Sequence, residues 1–149
     1  MSTDYQIFFQ SDEPVESTLE LISRVEGVDT QGELHIEGLV ATSFGELTTQ
    51  SRQIMLDEYG EYGLNVNWNI SGTYDKTTDI CELTERLFRC AAVMVNAHPN
   101  RSLSLMRNAE SFYVFNEPSR LIVSPVYSKS HAIVETLFQK PFNLELIEY

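Results

Sequence analysis

Three histidines, two cysteines and twenty-two carboxylates are the side chains in this chain that could carry chemistry, and their spacing decides which of them can. His35, His98 and His131 stand far apart, in no H-x-H or H-x-x-x-H pairing, so they offer no metal-ligand pattern. The C-x2-C and D-x-D-x-D-G patterns are absent as well. Cys81 and Cys90 lie nine residues apart in one helical stretch. At about 100° per residue they fall on opposite faces, too far apart to bond or share an ion. They read as two small packing residues in a reducing compartment. No G-x-S-x-G elbow is present, Ser130-His131 are sequence neighbours rather than a dyad, and seven glycines spread singly leave no phosphate loop. Glu82 and Glu85 each have an arginine four residues on, Arg86 and Arg89, which suggests a salt-bridged helix face rather than an acid–base pair. The expectation is a protein without catalytic residues, metal or cofactor, and not an enzyme.

What remains is charge. Residues 1–75 hold fourteen Asp and Glu against Arg24 and Arg52, a net −12, whereas residues 76–149 hold eight acids against eight bases. A one-sided distribution projects a negative field that attracts basic partners, speeds their encounter and repels nucleic acid and anionic lipid. The plainer reading of any one of these carboxylates is a solvated surface group. As a constellation they are more specific. Asp57, Glu58 and Glu61 fall within one turn and the loop after it, beside Tyr59 and Tyr62, with Glu33, Glu37 and Glu46 on or near neighbouring strands. Tyrosines supply rigid contact area and carboxylates receive Arg or Lys, so these eight are the candidate partner-binding residues. The expected partner is a basic protein domain, with no nucleic acid and no membrane involved and the chain itself a monomer or weak dimer.

The elements that must position these residues follow from periodicity. At 149 residues, 42% apolar and 11% aromatic, the chain suits a single domain over 1–149 that buries roughly two thirds of its unfolded surface. The N-terminus lacks a basic n-region and a long apolar run, and no stretch approaches the roughly 18 apolar residues of a membrane span, so a cytoplasmic location is expected. Residues 4–9 read as a strand. Glu13-Pro14 then start a helix stopped by Gly27, with Val15, Leu19, Ile22 and Val25 toward the core. Residues 32–46 read as two strands, about 50–59 as a short helix carrying Ile54, Met55 and Tyr59, and the Val66, Trp68, Ile70 alternation as a strand. A helix over about 78–97 has Ile80, Leu83, Leu87, Ala91 and Met94 as its stripe and Pro99 as its stop. Runs at 102–107, 111–116 and 120–124 form a meander, followed by a helix over about 128–139 and a terminal strand with Phe142, Leu144 and Leu146. This order predicts an α+β domain with a mainly antiparallel sheet, a C-terminal three-strand meander and helices packed on one face.

Three segments carry a resemblance. They are Arg52-Gln53-Ile54-Met55-Leu56-Asp57-Glu58-Tyr59-Gly60, then Gly63-Leu64-Asn65-Val66-Asn67-Trp68, and, after the long helix, Leu103-Ser104-Leu105-Met106-Arg107-Asn108-Ala109-Glu110-Ser111-Phe112 leading to Leu121-Ile122-Val123. Over about residues 48–124 this pattern resembles bacterial polymorphic-toxin immunity proteins, in particular the small Sit-type immunity proteins of contact-dependent toxin exchange and growth inhibition. In those, a helix ending near a Tyr/Phe-Gly pair precedes a strand, a long helix and a hairpin of the form L-L-x-N-G-E. Here Ala109 stands where that hairpin has glycine. The resemblance implies a bacterial cytoplasmic protein that binds and neutralises a cognate toxin domain, with no catalytic residues to transfer. An acidic partner of a nuclease-type toxin would occlude a site built to hold phosphate. Two other classes stay open: an acidic secretion chaperone for a type III effector, and a DNA-mimic inhibitor. The N-terminal acids have no regular period along 4–61, which places the mimic third.

Overall fold

The computed structural model describes residues 4–60, 64–108, 111–125 and 136–145. Strand β1 (Asp4–Phe9) is the hub of the molecule: it pairs with β5 (Trp68–Thr73) on one side and β6 (Leu103–Arg107) on the other. Around it the seven-stranded sheet runs β4-β5-β1-β6-β7-β8-β9, with β4 at Ala41–Glu46, β7 at Ser111–Glu117, β8 at Arg120–Val123 and β9 at Asn143–Leu144. Every pairing is antiparallel except β8 with β9. A separate two-stranded ladder joins β2 (Val28–Asp29) to β3 (His35–Ile36). The domain is α+β, and β6, β7 and β8 form the expected meander.

Helices α1 (Val15–Ser23) and α3 (Ile80–Ala97) share one face of the sheet. Asp79 starts α3 by accepting the Cys81 and Glu82 amides at 3.0 and 3.2 Å, which satisfies two of the donors a helix N-terminus leaves open. Leu83, Leu87, Ala91 and Met94 are buried along its stripe, and α3 ends two residues before Pro99. Ile22 and Val25 join the same core, while Glu16, Glu20 and Glu26 stay outside.

Helix α2 (Thr49–Tyr59) does not join them, which corrects the expectation that the helices pack on one face. Successive strand residues point to opposite faces. Tyr5, Ile7 and Phe9 enter the α1/α3 core, whereas Phe8 enters a second cluster with Met55 and Tyr59 of α2. Met106, Phe112, Phe115 and Ile122 line that reverse face, so the middle of the sheet is buried on both sides and needs a cover on each. A register shift between Leu105 and Met106 leaves Tyr113 as an extra residue in β7, and both Tyr113 and Val114 then serve the α3 side.

The first helix begins one residue after Pro14 and ends at Ser23, short of Gly27. Gly27 instead takes a left-handed turn, φ +89°, into the β2 strand that the 32–46 reading does not include. Most of the helix expected over 128–139 lies outside the described residues, as does Leu146. Within 136–145, Phe138 is buried and Asn143–Leu144 supply the terminal strand.

Candidate interaction surface

Asp57 and Glu58 occupy the outward side of α2. The helix starts at Thr48, whose hydroxyl accepts the Ser51 amide at 3.1 Å, and stops at Gly60 with no base in its last turn. Asp57 accepts a hydrogen bond from Gln53 Nε2 at 2.9 Å, and neither carboxylate has an ion pair among the described residues. Both therefore add to the negative end of the helix dipole. Ile54 and Leu56 stand exposed on either flank, 48% and 36% accessible. The pair that anchors the helix is Met55 and Tyr59, one turn apart, and this rotates Ile54 about 100° away from the sheet.

Tyr59 is a correction among the candidate residues. It is 3% exposed and packs edge-on against Phe112, with ring centroids 5.3 Å apart, so its ring belongs to the core and offers no area to a folded partner. Glu61 and Tyr62 lie outside the described residues.

Glu33, Glu37 and Glu46 belong to the other side of the sheet. Glu33 is exposed in the β2–β3 connection. Glu37 follows β3 and is also exposed, but Arg86 claims its vicinity: the guanidinium donates to the Glu37 and Glu26 carbonyls at 2.7 and 3.0 Å and lies 3.8 Å from the Glu37 carboxylate. Arg86 is thus spent on tying two loops to α3 instead of pairing with Glu82, whereas Arg89 does meet Glu85 at 2.9 Å. Glu46 ends β4 in register with Trp68, on the face of Phe44 and Ile70. The candidate acids therefore form no single patch. Asp57 and Glu58 sit on α2, which packs over β1, β6, β7 and β8, whereas Glu33, Glu37 and Glu46 lie on the α1/α3 side, Glu46 on β4 itself.

The topology turns the sequence asymmetry into a spatial one. Strands β4, β5 and β1 contain Asp4 and Glu46 and no Lys or Arg, while β6, β7 and β8 carry Arg107 and Arg120, and Lys140 precedes β9. Besides Arg86, Arg107 and Arg101 of the second half reach back, Arg107 over the Tyr74 ring, 5.4 Å from its centroid, and Arg101 to two carboxylates. Arg101 lies 3.1 Å from both Asp12 and Glu13, with His98 3.9 Å from Glu13. The cleft beside that cluster, walled by Phe9, Thr18, Met94 and Leu103, holds about 20 Å³, room for one water and not for a substrate.

The remaining chemistry-bearing side chains are placed as follows. Among the described residues no three of His, Cys, Asp and Glu gather as metal ligands, and no helix is long and apolar enough to cross a membrane. Cys81 is exposed and Cys90 fully buried on the opposite side of α3. Burial pushes the Cys90 thiol up to about 12, against a small opposing pull from Arg86. His35 is exposed on β3, and His131 lies outside the described residues. Compared with protein-family models, curated proteins and solved structures, the chain has no match.

Proposed function

We propose that this chain is an immunity-type binding protein: a non-catalytic partner that captures a basic toxin domain, of nuclease type, and occludes its site. One observation carries the reading. The half of the sheet built from β4, β5 and β1, with the β2–β3 ladder that precedes β4, presents carboxylates and no Lys or Arg, and α2, packed on the reverse face over β1, β6, β7 and β8, adds Asp57 and Glu58 against Arg52. Asp4, Glu33, Glu46, Asp57 and Glu58 have no ion pair among the described residues, although Arg86 and Arg101 do neutralise Glu37, Asp12 and Glu13. Carboxylates left without bases, with exposed Ile54 and Leu56 beside Asp57 and Glu58 on α2, suit recognition of Arg and Lys on a folded surface. The resemblance over about residues 48–124 supports the same class.

The test is genetic and biochemical together. The C-terminal domain of a large secreted protein encoded beside this gene is expressed with and without the chain. Restored growth and a stoichiometric complex are expected. Growth arrest unrelieved by the chain, with no complex formed, contradicts the reading.

A further inference from the structure

The outer edge of β4 is built to receive a strand. Leu47 donates its amide to Asn67 O at 2.8 Å, which fixes one hydrogen-bonded pair of the β4–β5 ladder. Counting back by twos, Gly45, Ser43 and Ala41 direct their N–H and C=O groups into the ladder. Thr42, Phe44 and Glu46 direct theirs outward, and among the described residues no strand pairs with them. The β4–β5 register is unbroken from Ala41 to Glu46, and β4 contains no Pro, no Lys and no bulge, the devices that commonly blunt a sheet edge. The opposite edge differs: β9 is two residues long and closely follows Pro141.

Side chains on both faces of the edge leave room for an added strand. Ala41, Ser43 and Gly45 are small and exposed on one face, where Ser43 and Ser71 share a hydroxyl hydrogen bond at 3.0 Å. On the other face Phe44 is half-buried, 6.0 Å from Phe9 and 5.6 Å from Trp68 between ring centroids, and Glu46 follows two residues later. A strand laid along β4 would set an apolar side chain against Phe44 and its next residue on that face beside Glu46.

Charge selects the occupant. No Lys or Arg occurs in β4, so a second copy pairing edge to edge through its own β4 would bring no cation to Glu46 and would place one net charge of −12 against another. We infer that the β4 edge docks an extended segment of the partner by strand addition, one that carries an apolar residue opposite Phe44 and, two positions on along the same face, a Lys or Arg beside Glu46. This rests on the reading of the chain as a binder of a basic protein. It adds how the contact is made: main-chain hydrogen bonds at Thr42, Phe44 and Glu46, with specificity from Phe44 and Glu46.

The experiment needs no toxin, so its failure is distinguishable from failure of the growth test. A short capped peptide in which Val and Lys take turns along one face, with Thr at every position between them (Val-Thr-Lys-Thr-Val-Thr-Lys), is added at millimolar concentration to the full chain, and amide hydrogen exchange is followed residue by residue. Exchange at Thr42, Phe44 and Glu46 should slow by about tenfold as the edge fills, with Ser43 and Gly45 already protected in the free protein. A Thr42→Pro variant removes an outward donor without touching the ladder and should lose the effect. Glu46→Lys, which keeps the strand intact should the proline variant not fold, should weaken the Val/Lys peptide several-fold and favour a Val/Glu one. Unchanged exchange at the three amides, equal effects of the Val/Glu peptide on the native chain, or protection that grows with protein concentration alone would each overturn the proposal, the last by making β4 a self-association edge. Growth rescue by a chain whose β4 amides ignore the peptide would locate the toxin contact elsewhere.

Discussion

At the scale of single residues, the groups that titrate abnormally are structural. Tyr5 is buried against Tyr74 and Tyr113 and shares a 2.6 Å hydrogen bond with Thr84, and burial holds its phenol well above the usual range. Cys90, wholly inside α3's packing face, is pushed up to about 12 by the same cause. For both, the folded state keeps a proton that the unfolded chain gives up. Their contribution is therefore complete below the unfolded pKa and declines as pH rises above it. For Cys90 that window opens near pH 9.0 and closes near 12, where stability should fall by up to about 1.4 kcal/mol per pH unit. Tyr5 adds the same sign above its ordinary value of 10.0. Urea midpoints of the native chain should drop between pH 9 and 10, and a Cys90→Ala variant, less stable at pH 7, should show a flatter profile over that interval. Parallel profiles would mean that the thiol is not the titrating group. Sequence spacing put Cys81 and Cys90 on opposite faces of one helix as packing residues, of which Cys90 alone is buried, and it did not single out Tyr5. The Arg86 stitch was not legible, because an i,i+4 Glu is visible in sequence while two carbonyls brought near by Gly27 and the β3–β4 turn are not.

At the scale of elements, α2 is the piece whose stability and function pull in opposite directions. It touches the sheet through Met55 and Tyr59, and its last turn carries Asp57 and Glu58 without a base. Each exposed carboxylate at a helix C-terminus costs about 0.3–1 kcal/mol. Replacing Asp57 with Asn and Glu58 with Gln should raise the melting temperature while weakening binding of the basic domain, an effect read by calorimetry and titration on the same samples. A variant that melts higher and binds as before would remove α2 from the interface and leave the β4 flank with Glu33, Glu37 and Glu46. The existence and ends of α2 were readable from Thr48 to Gly60. Its side of the sheet was not, since the run over residues 50–59 spreads its apolar residues, Ile54, Met55, Leu56 and Tyr59, over an arc of about 200°, and only the partner strands choose among them. The apolar stretches at 103–106, 112–115 and 121–123 held the missing clue: near-continuous runs, unlike alternating ones, signal a sheet covered on both faces.

At the scale of the whole molecule, chain order becomes geometry. Residues 1–75 fold into β4, β5 and β1 with α1, α2 and the small ladder, and the later residues supply α3 and the strands from β6 to β9. Within the sheet the charge asymmetry survives folding because β1 joins the two halves, with β5 and β4 on one side and the strands from β6 to β9 on the other, while α2 lies across the join in one cluster with Phe8, Met106, Phe112, Phe115 and Ile122. The spatial result was not readable in advance: an interleaved strand order from the same sequence would have mixed the acids of one half with the bases of the other. On the proposed function, the acidic strands β4, β5 and β1 would attract a basic partner before contact. Stopped-flow association between the chain and its basic partner domain, recorded across ionic strength, tests this most directly. The rate constant should fall several-fold as the screening length contracts from about 10 Å at 0.1 M to about 3 Å at 1 M, with dissociation changing less. An association rate constant that stays level across that range would contradict electrostatic capture by the acidic half.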